Sequence, residues 1–432
     1  MTAAVAVDSV VEVAPEGEAR WWASEKGAIL AALGAHYGQD FPGAALPESA
    51  DPVGLRALLR ASAPRLAAVA GRIRRVFDDG ACAVLLPRLG VTGIDADEQR
   101  KALFALAALL GDVMANHPQQ SVVWDVRNRG RDTTRRVKAS DTDRGAGYHT
   151  DAGYLRVPPR FFLLYAAHAA SCGGGATFIR DARVLRRQLE ATERGRAAIR
   201  VLSSKVPRRV ARELFPVADV AEDGFQYAPV LDGPMWRWSA TRTRPVPKGW
   251  DFTPGGAVVL PVDSRHGARR AFETVTELLT TALAAHPEHA TAHDRAAIDT
   301  VSELLATILA GRPEYATPAI RAAIDTIANL LKVILGAHPE LATSANRAAI
   351  DTVSDVLTKV LAADPEYATP ELGAAIDTVC ELLAAGADEF RQMLPTDALL
   401  VVDNHIALHG RTAFTDQRRR LLRIRFHDPV PR

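Results

Sequence analysis

The pentapeptide Ala-Ala-Ile-Asp-Thr occurs four times, at Ala296–Thr300, Ala322–Thr326, Ala348–Thr352 and Ala374–Thr378, always 26 residues apart. The same step carries Pro287-Glu288 onto Pro313-Glu314, Pro339-Glu340 and Pro365-Glu366, and Phe272-Glu273-Thr274-Val275 onto Ile298-Asp299-Thr300-Val301. Self-similarity at such a period marks supersecondary units that bury their apolar faces on one another. Within one unit Ile320, Ala323, Ile324, Ile327, Leu330, Leu331, Ile334 and Leu335 trace the stripe of an amphipathic helix. Thr317 offers a capping hydroxyl, and Pro318 suits the first turn. A helix of about 20 residues is about 30 Å long, whereas a linker of roughly six residues reaches at most about 21 Å. Successive helices must therefore run up and down. This predicts an antiparallel helical bundle of five segments over residues 264–385.

Four added units, 104 residues, turn one helix into five and return the chain to the end it left, so the array reads as an insertion. Without it 328 of the 432 residues remain, the size of one large domain with helical flanks. Residues 20–115 are rich in Ala and Leu at helical spacing, as at Leu103, Leu106 and Leu110. Beyond about residue 120 the pattern becomes short strand-like runs broken by Gly and Pro: Ser121–Trp124, Arg160–Tyr165, Ala176–Ile179, Ala257–Leu260, Leu399–Val402 and Leu421–Phe426. Many short strands suggest a sandwich or jelly roll. The predicted fold class is α+β. An N-terminal helical flank spans 1–119, a jelly-roll core 120–263 and 386–432, and the inserted bundle 264–385.

Lys and Arg number 52 against 51 Asp and Glu, so no bulk basic field draws nucleic acid or an anionic membrane, and neither is an expected partner. Cys82, Cys172 and Cys380 are remote from one another and odd in number, which argues against a disulfide framework or a zinc site and fits a reducing compartment. The first residues lack a basic segment ahead of an apolar run, and no stretch of about 18 uncharged apolar residues occurs. A cytoplasmic location is expected.

Two segments carry chemistry. In Tyr148-His149-Thr150-Asp151 an imidazole and a carboxylate stand two residues apart, and on an extended strand end such residues point the same way. Far downstream, Asp403-Asn404-His405-Ile406-Ala407-Leu408-His409-Gly410-Arg411 places further histidines after a strand. Two His and one carboxylate on one face of a metal, with open positions opposite, are the arrangement of non-haem Fe(II) oxygenases. A His-x-acid triplet alone is weak. His286-Pro287-Glu288 and His338-Pro339-Glu340 match it too, yet Arg312 and Asp364 occupy the corresponding repeat positions, so the imidazole is dispensable there.

The stretches YHTDAGY, PPRFFLLYAAHAASCGGGATF, LLVVDNHIALHGRTAF and QRRRLLRIRFHD, in that order, resemble the taurine dioxygenase and clavaminate synthase-like branch of the Fe(II)/2-oxoglutarate dioxygenases. The resemblance covers residues 120–263 and 386–432 and implies a double-stranded β-helix. The 260 residues from His149 to His409 shorten to 156 without the insertion, in keeping with that family. Carried over, the resemblance makes His149, Asp151 and His409 the iron ligands. It places Arg423, 14 residues after His409, on the distal carboxylate of 2-oxoglutarate, a task suited to guanidinium's two-pronged donor geometry. Thr177 adds a hydroxyl to that carboxylate, and Arg419 is a candidate for the other end of the co-substrate. His405 is the alternative to His409 outside the family's His-Gly-Arg register.

The implied cofactors are Fe(II), 2-oxoglutarate and O2. Iron halogenases of this superfamily carry a small residue in place of the carboxylate, so Asp151 favours hydroxylation or a related oxidation such as desaturation or cyclisation. Trp124, Arg156, Arg242 and Arg411 lie near the motifs and are candidates to face the substrate, which by family analogy is a small amino-acid-like molecule. For the bundle, the alternatives are a structural or oligomerisation element, a lid, or a docking surface. The rival from another class is a scaffold in which the helical array is the working part and the jelly roll is vestigial.

Overall fold

The computed structural model describes residues 9–13, 21–38, 41, 51–115, 122–130, 139–143, 145–210, 221, 225–239, 251–252, 258–259, 262–285, 287, 291–309, 318–361, 370–386 and 389–429. Helices α1 (Trp21–Tyr37), α2 (Pro52–Ser62), α3 (Pro64–Asp78) and α4 (Ala96–Leu110) are followed by α5 (Ala182–Glu190) and α6 (Glu193–Leu202), then by α7 (Val262–Ala285), α8 (Ala292–Leu309), α9 (Pro318–Ala337), α10 (Ser344–Leu361) and α11 (Pro370–Ala385). The strands are β1 (Val10–Glu12), β2 (Ala83–Leu86), β3 (Asp112–Met114), β4 (Trp124–Val126), β5 (Ala146–His149), β6 (Phe161–His168), β7 (Thr177–Asp181), β8 (Val206–Arg209) and β9 (Phe225–Ala228). After them come β10 (Leu231–Asp232), β11 (Met235–Trp236), β12 (Asp251–Phe252), β13 (Val258–Val259), β14 (Phe390–Gln392), β15 (Leu399–Asp403), β16 (Ala407–Arg411) and β17 (Arg420–His427).

A seven-stranded sheet runs β1-β2-β15-β6-β17-β3, with β4 also paired to β17; a four-stranded antiparallel sheet runs β14-β7-β16-β5. Strict alternation along the strands divides the interior. Leu399, Val401, Leu422, Ile424 and Phe426 face α1 to α4 in one core, while Leu400, Val402, Phe162, Leu164 and Leu421 join Ile179 and Ala407 in a second. A strand buried on both faces has to read as an unbroken apolar run, which is why Leu399–Val402 was legible as a strand. The outer face of the smaller sheet, with Tyr148, Phe178 and Leu408, packs under α5, α6 and α11.

Helix starts follow local chemistry. Asp51 accepts from Val53 N and Gly54 N ahead of Pro52, and Asp95 accepts from Asp97 N and Glu98 N at the start of α4. The expected N-terminal helical flank is not wholly helical: β1, β2 and β3 come from it and enter the larger sheet. Ala83–Leu86 sit in a stretch that reads as helical because four apolar residues show no period of their own. The Ser121–Trp124 run is displaced, since the strand is Trp124–Val126 while Val122 and Val123 are buried before it.

The repeat segments are helices, but they do not share one core. Helices α7 to α10 bury Val275, Leu279, Val301, Leu305, Ile327, Leu330, Ile334 and Val353 together, α7 packing on α10 and α8 on α9. Helix α11 turns its face instead onto α5 and α6, where Leu372, Ile376, Val379 and Leu383 meet Leu185, Leu189, Ala198 and Leu202. Arg180, 1% exposed on β7, donates from Nη1 to the carbonyls of Leu382 and Leu383, placing a cation on the C-terminal turn of α11. The repeat sequence alone does not separate this helix from its neighbours, because α8 to α11 all carry the same Ala-Ala-Ile-Asp-Thr. Among the described residues no helix is long and apolar enough to cross a membrane.

Candidate metal centre

The two sheets bring the separated motifs together. Strand β5 lies beside β16 with His149 opposite His409, and their rings approach to 4.3 Å between centroids. Asp151 follows β5, and ligand atoms of His149, Asp151 and His409 all lie within 4.8 Å of one another. Gly410 allows this approach, for a Cβ there would stand 2.2 Å from the Phe178 ring and 2.5 Å from Ala146 O. Phe162 closes the other side of His409, 4.5 Å between ring centroids. His405, the alternative to His409, places Nε2 3.0 Å from the carbonyl of Pro158.

The donor set suits a cation. Burial and the neighbouring His149 push His409 well below the usual imidazole range, which favours the neutral imidazole that can coordinate a cation. His409 Nδ1 is a buried nitrogen with no hydrogen-bond partner among the described residues. His149 Nδ1 is 2.9 Å from Gly147 O; a proton donated there leaves the Nε2 lone pair free to accept a cation. Burial alone would raise the Asp151 carboxyl, yet Arg423 and Arg425 hold it well below the ordinary range. Arg425 donates to both oxygens, Nε to Oδ2 at 2.8 Å and Nη2 to Oδ1 at 2.9 Å, and Arg423 Nη1 donates to Oδ1 at 3.0 Å. A carboxylate so bound stays ionised, and its remaining lone pairs are available to a metal.

Other expected residues gather nearby to different degrees. Thr177 is 3% exposed and pairs in register with Arg411, two residues beyond His409 on β16. Trp124 pairs with Arg423 across β4 and β17. Arg411 and Arg419 flank Phe414, at 5.1 and 4.7 Å from its centroid. Burial, then repulsion from Arg419, lowers Arg411 to about 9; burial lowers Arg419 to about 10; burial, then repulsion from Arg425, lowers Arg423 to about 10 despite Asp151. Arg419 lies against Gly175, whose φ of +83° and 2.6 Å clearance from Arg419 Nε both require glycine. Arg156 is exposed, its carbonyl accepting from Arg237 Nη2. Arg242 lies outside the described residues.

Arg425 and Asn404 were not singled out by motif. Arg425 reads as one more strand cation beside Arg423, but period-2 alternation puts residues 421, 423 and 425 on one face, which is the signal that could have found it.

Two β-sheets enclosing a His, Asp and His donor set beside buried guanidiniums have the layout of a non-haem iron oxygenase. The family model for "Taurine catabolism dioxygenase TauD, TfdA family" matches residues 58–425, and the chain belongs to that family. It is an Fe(II)/2-oxoglutarate-dependent dioxygenase, with O2 as the second co-substrate. No curated protein matches the chain by sequence. Among solved structures, one of an asparagine oxygenase in complex with Fe(II), 2S,3S-3-hydroxyasparagine and succinate is 13% identical with a TM-score of 0.51, covering 98% of this chain and 94% of that one. A structure of the non-haem iron oxygenase OrfP in complex with Fe and alpha-ketoglutaric acid is 15% identical with a TM-score of 0.43, covering 97% and 94%. The first likeness is one of fold.

Proposed function

We propose that this chain hydroxylates an unactivated C–H bond of a small amino-acid-like substrate, with His149, Asp151 and His409 as the iron ligands. The observation that carries the assignment is the convergence of three ligand atoms, two of them 260 residues apart in sequence, to within 4.8 Å. When bound, iron with 2-oxoglutarate and O2 supplies the oxidising chemistry, and the keto acid leaves as succinate and CO2. The chain's own part is to bind, orient and exclude water.

Arg423 would hold the distal carboxylate of 2-oxoglutarate. Its Nε is buried with no hydrogen-bond partner among the described residues, so a donor remains even while Nη1 engages Asp151. Thr177 would support the same end, and Arg411, paired with it across β7 and β16, stays a candidate to face the substrate. Burying Arg411 and Arg419 costs enough to depress both guanidiniums, and a dianionic co-substrate would offset that cost. Arg419 is retained as a contact to the other end of the co-substrate. Trp124, beside Arg423, is the best placed of the described substrate candidates, Arg156 being exposed.

The reading of the substrate as an amino acid is supported by the asparagine oxygenase, whose structure holds hydroxyasparagine. The two main sheets would form the double-stranded β-helix, and the four helices α7 to α10 the insertion, with a docking or self-association role. Screening free amino acids anaerobically loaded with Fe(II) and 2-oxoglutarate, then exposed to O2, tests the assignment. Succinate formation with a product 16 mass units heavier is expected for hydroxylation, by the mass of one oxygen atom (~16). A product lighter by two hydrogens would replace hydroxylation with desaturation, and substrate-independent silence across the amino acids would remove that substrate class.

A further inference from the structure

The metal-site segment is held by one side chain that is itself no metal ligand. Asn404, 0% exposed in the turn between β15 and β16, accepts at Oδ1 from Asp151 N at 2.7 Å. Its Nδ2 donates to Asp151 O at 3.0 Å and to Pro159 O at 2.8 Å. These partners fix the amide's orientation, since the flipped group would set its NH2 against an N–H and its oxygen against two carbonyls. The backbone N–H of Asn404 donates to Arg160 O at 2.6 Å, so the turn is tied to the far end of the same loop.

What Asn404 grips needs holding. Ala152, next to Asp151, has φ +50°, a conformation strained for any residue with a side chain and kept only where its surroundings impose it. On the other flank Thr150 Oγ1 donates to Trp236 O at 2.8 Å and accepts from Trp238 N at 3.1 Å, while Trp236 N donates to His405 O at 3.0 Å. The turn of Asn404 and His405 therefore reaches the Asp151 loop directly and through Trp236. That turn leads straight into β16, which carries His409 five residues after Asn404.

We infer that Asn404 is a positioning residue that sets Asp151 against His409 by clamping the Asp151 backbone from the hairpin that bears His409. This rests on the reading of His149, Asp151 and His409 as metal ligands, and deepens it. A ligand set held by hydrogen bonds before the metal arrives loses less order on binding it, and so binds more tightly.

Co(II), titrated into the full-length chain without co-substrate and followed by its visible absorption, separates this role from a purely structural one. Asn404→Leu keeps the volume and removes all three side-chain bonds; Asn404→Ala removes them but leaves room for a bridging water. Co(II) affinity is expected to fall about tenfold or more in Asn404→Leu, as for loss of an outer-shell partner, with an altered absorption band, and to fall less in Asn404→Ala. Val401→Ala, on the opposite face of β15, is expected to lower the melting temperature while leaving affinity and band unchanged. Wild-type affinity and spectrum in Asn404→Leu would overturn the inference, as would a larger loss in Asn404→Ala than in Asn404→Leu, which is the order for packing alone. If Asn404→Leu does not fold, Asn404→Ala decides, and wild-type affinity there overturns the clamp. Failure of the wild type to bind Co(II), or binding by His149→Ala as tight as wild type, would instead sink the metal-site reading and this inference with it.

Discussion

The sheet core and the bundle of α7 to α10 bury their apolar residues in different ways. Leu399, Leu400, Val401 and Val402 are each 0% exposed because both faces of β15 are covered, whereas Ile324, Ile327 and Val353 in the bundle keep 8 to 9%. The core also encloses charge: Asp151, Arg180, Arg208, Arg411, Arg419 and Arg425 are all buried there. A buried ion is tolerated only when its partners are fixed, so that region has to be specific at every position, while a stripe of apolar residues needs only its period. One part of the chain is built to hold charges in place, the other to repeat. Helix α11 shares the repeat's sequence but the core's manner of burial.

Changes that strike the charged interior should have the largest effects. His149→Ala and His409→Ala are each expected to abolish Fe(II)-dependent succinate formation while leaving the far-ultraviolet circular dichroism unchanged; residual turnover in either would break the contrast between the two regions. Arg423→Ala should raise the 2-oxoglutarate concentration for half-maximal rate by on the order of 30-fold or more, from about 2–5 kcal/mol for truncating a buried charge pair. Its effect on Co(II) affinity should be smaller, because Arg425 still holds Asp151.

Next come changes that compare helices of the same sequence. Ile376→Ala in α11, 0% exposed, should destabilise by about 2–5 kcal/mol, and its repeat counterpart Ile324→Ala in α9, 9% exposed, by the lower end of that range or less. Chemical denaturation followed by far-ultraviolet circular dichroism reads both; equal losses would show α11 to be one more bundle helix. Deleting residues 262–365, which removes four units and keeps α11, should leave the core's thermal transition and iron-dependent turnover in place. A shorter deletion of 52 residues should be tolerated better than one of 26, because only an even number of helices preserves the chain's exit.

The smallest effect expected is a rate of labelling. Cys172 is exposed, and the backbone N–H of Thr415 lowers its thiol to about 7. Cys380 is buried where α11 meets α5 and α6. Iodoacetamide near neutral pH should modify Cys172 first and Cys380 slowly, with or without the bundle; fast labelling of Cys380 would detach α11 from the core.

What was legible in the sequence follows the same division. The bundle's helices were readable from a period, and β6, β7, β15 and β17 from apolar runs, because those signals are local. The convergence of His149, Asp151 and His409 was readable through motifs that keep their order on either side of the repeats. The divergence of α11 was not, since it depends on Arg180 and Leu185 lying across from it in space. Nor were the strands β1, β2 and β3, too short to show a period before the sheet recruits them. Arg425 and Asn404 stayed hidden for a related reason: an arginine in a run of arginines and an asparagine in a turn have ordinary local explanations, and only the fold shows both on Asp151.

The central claim is that His149, Asp151 and His409 hold one iron ion between the two sheets. Anomalous scattering at the iron edge, from crystals of the full chain soaked anaerobically with Fe(II), tests it most directly. A single strong peak is expected within bonding distance of both imidazoles and one Asp151 oxygen, with Arg425 still paired to that carboxylate. A peak elsewhere, or none with Asp151 closed off by Arg423 and Arg425, would contradict it.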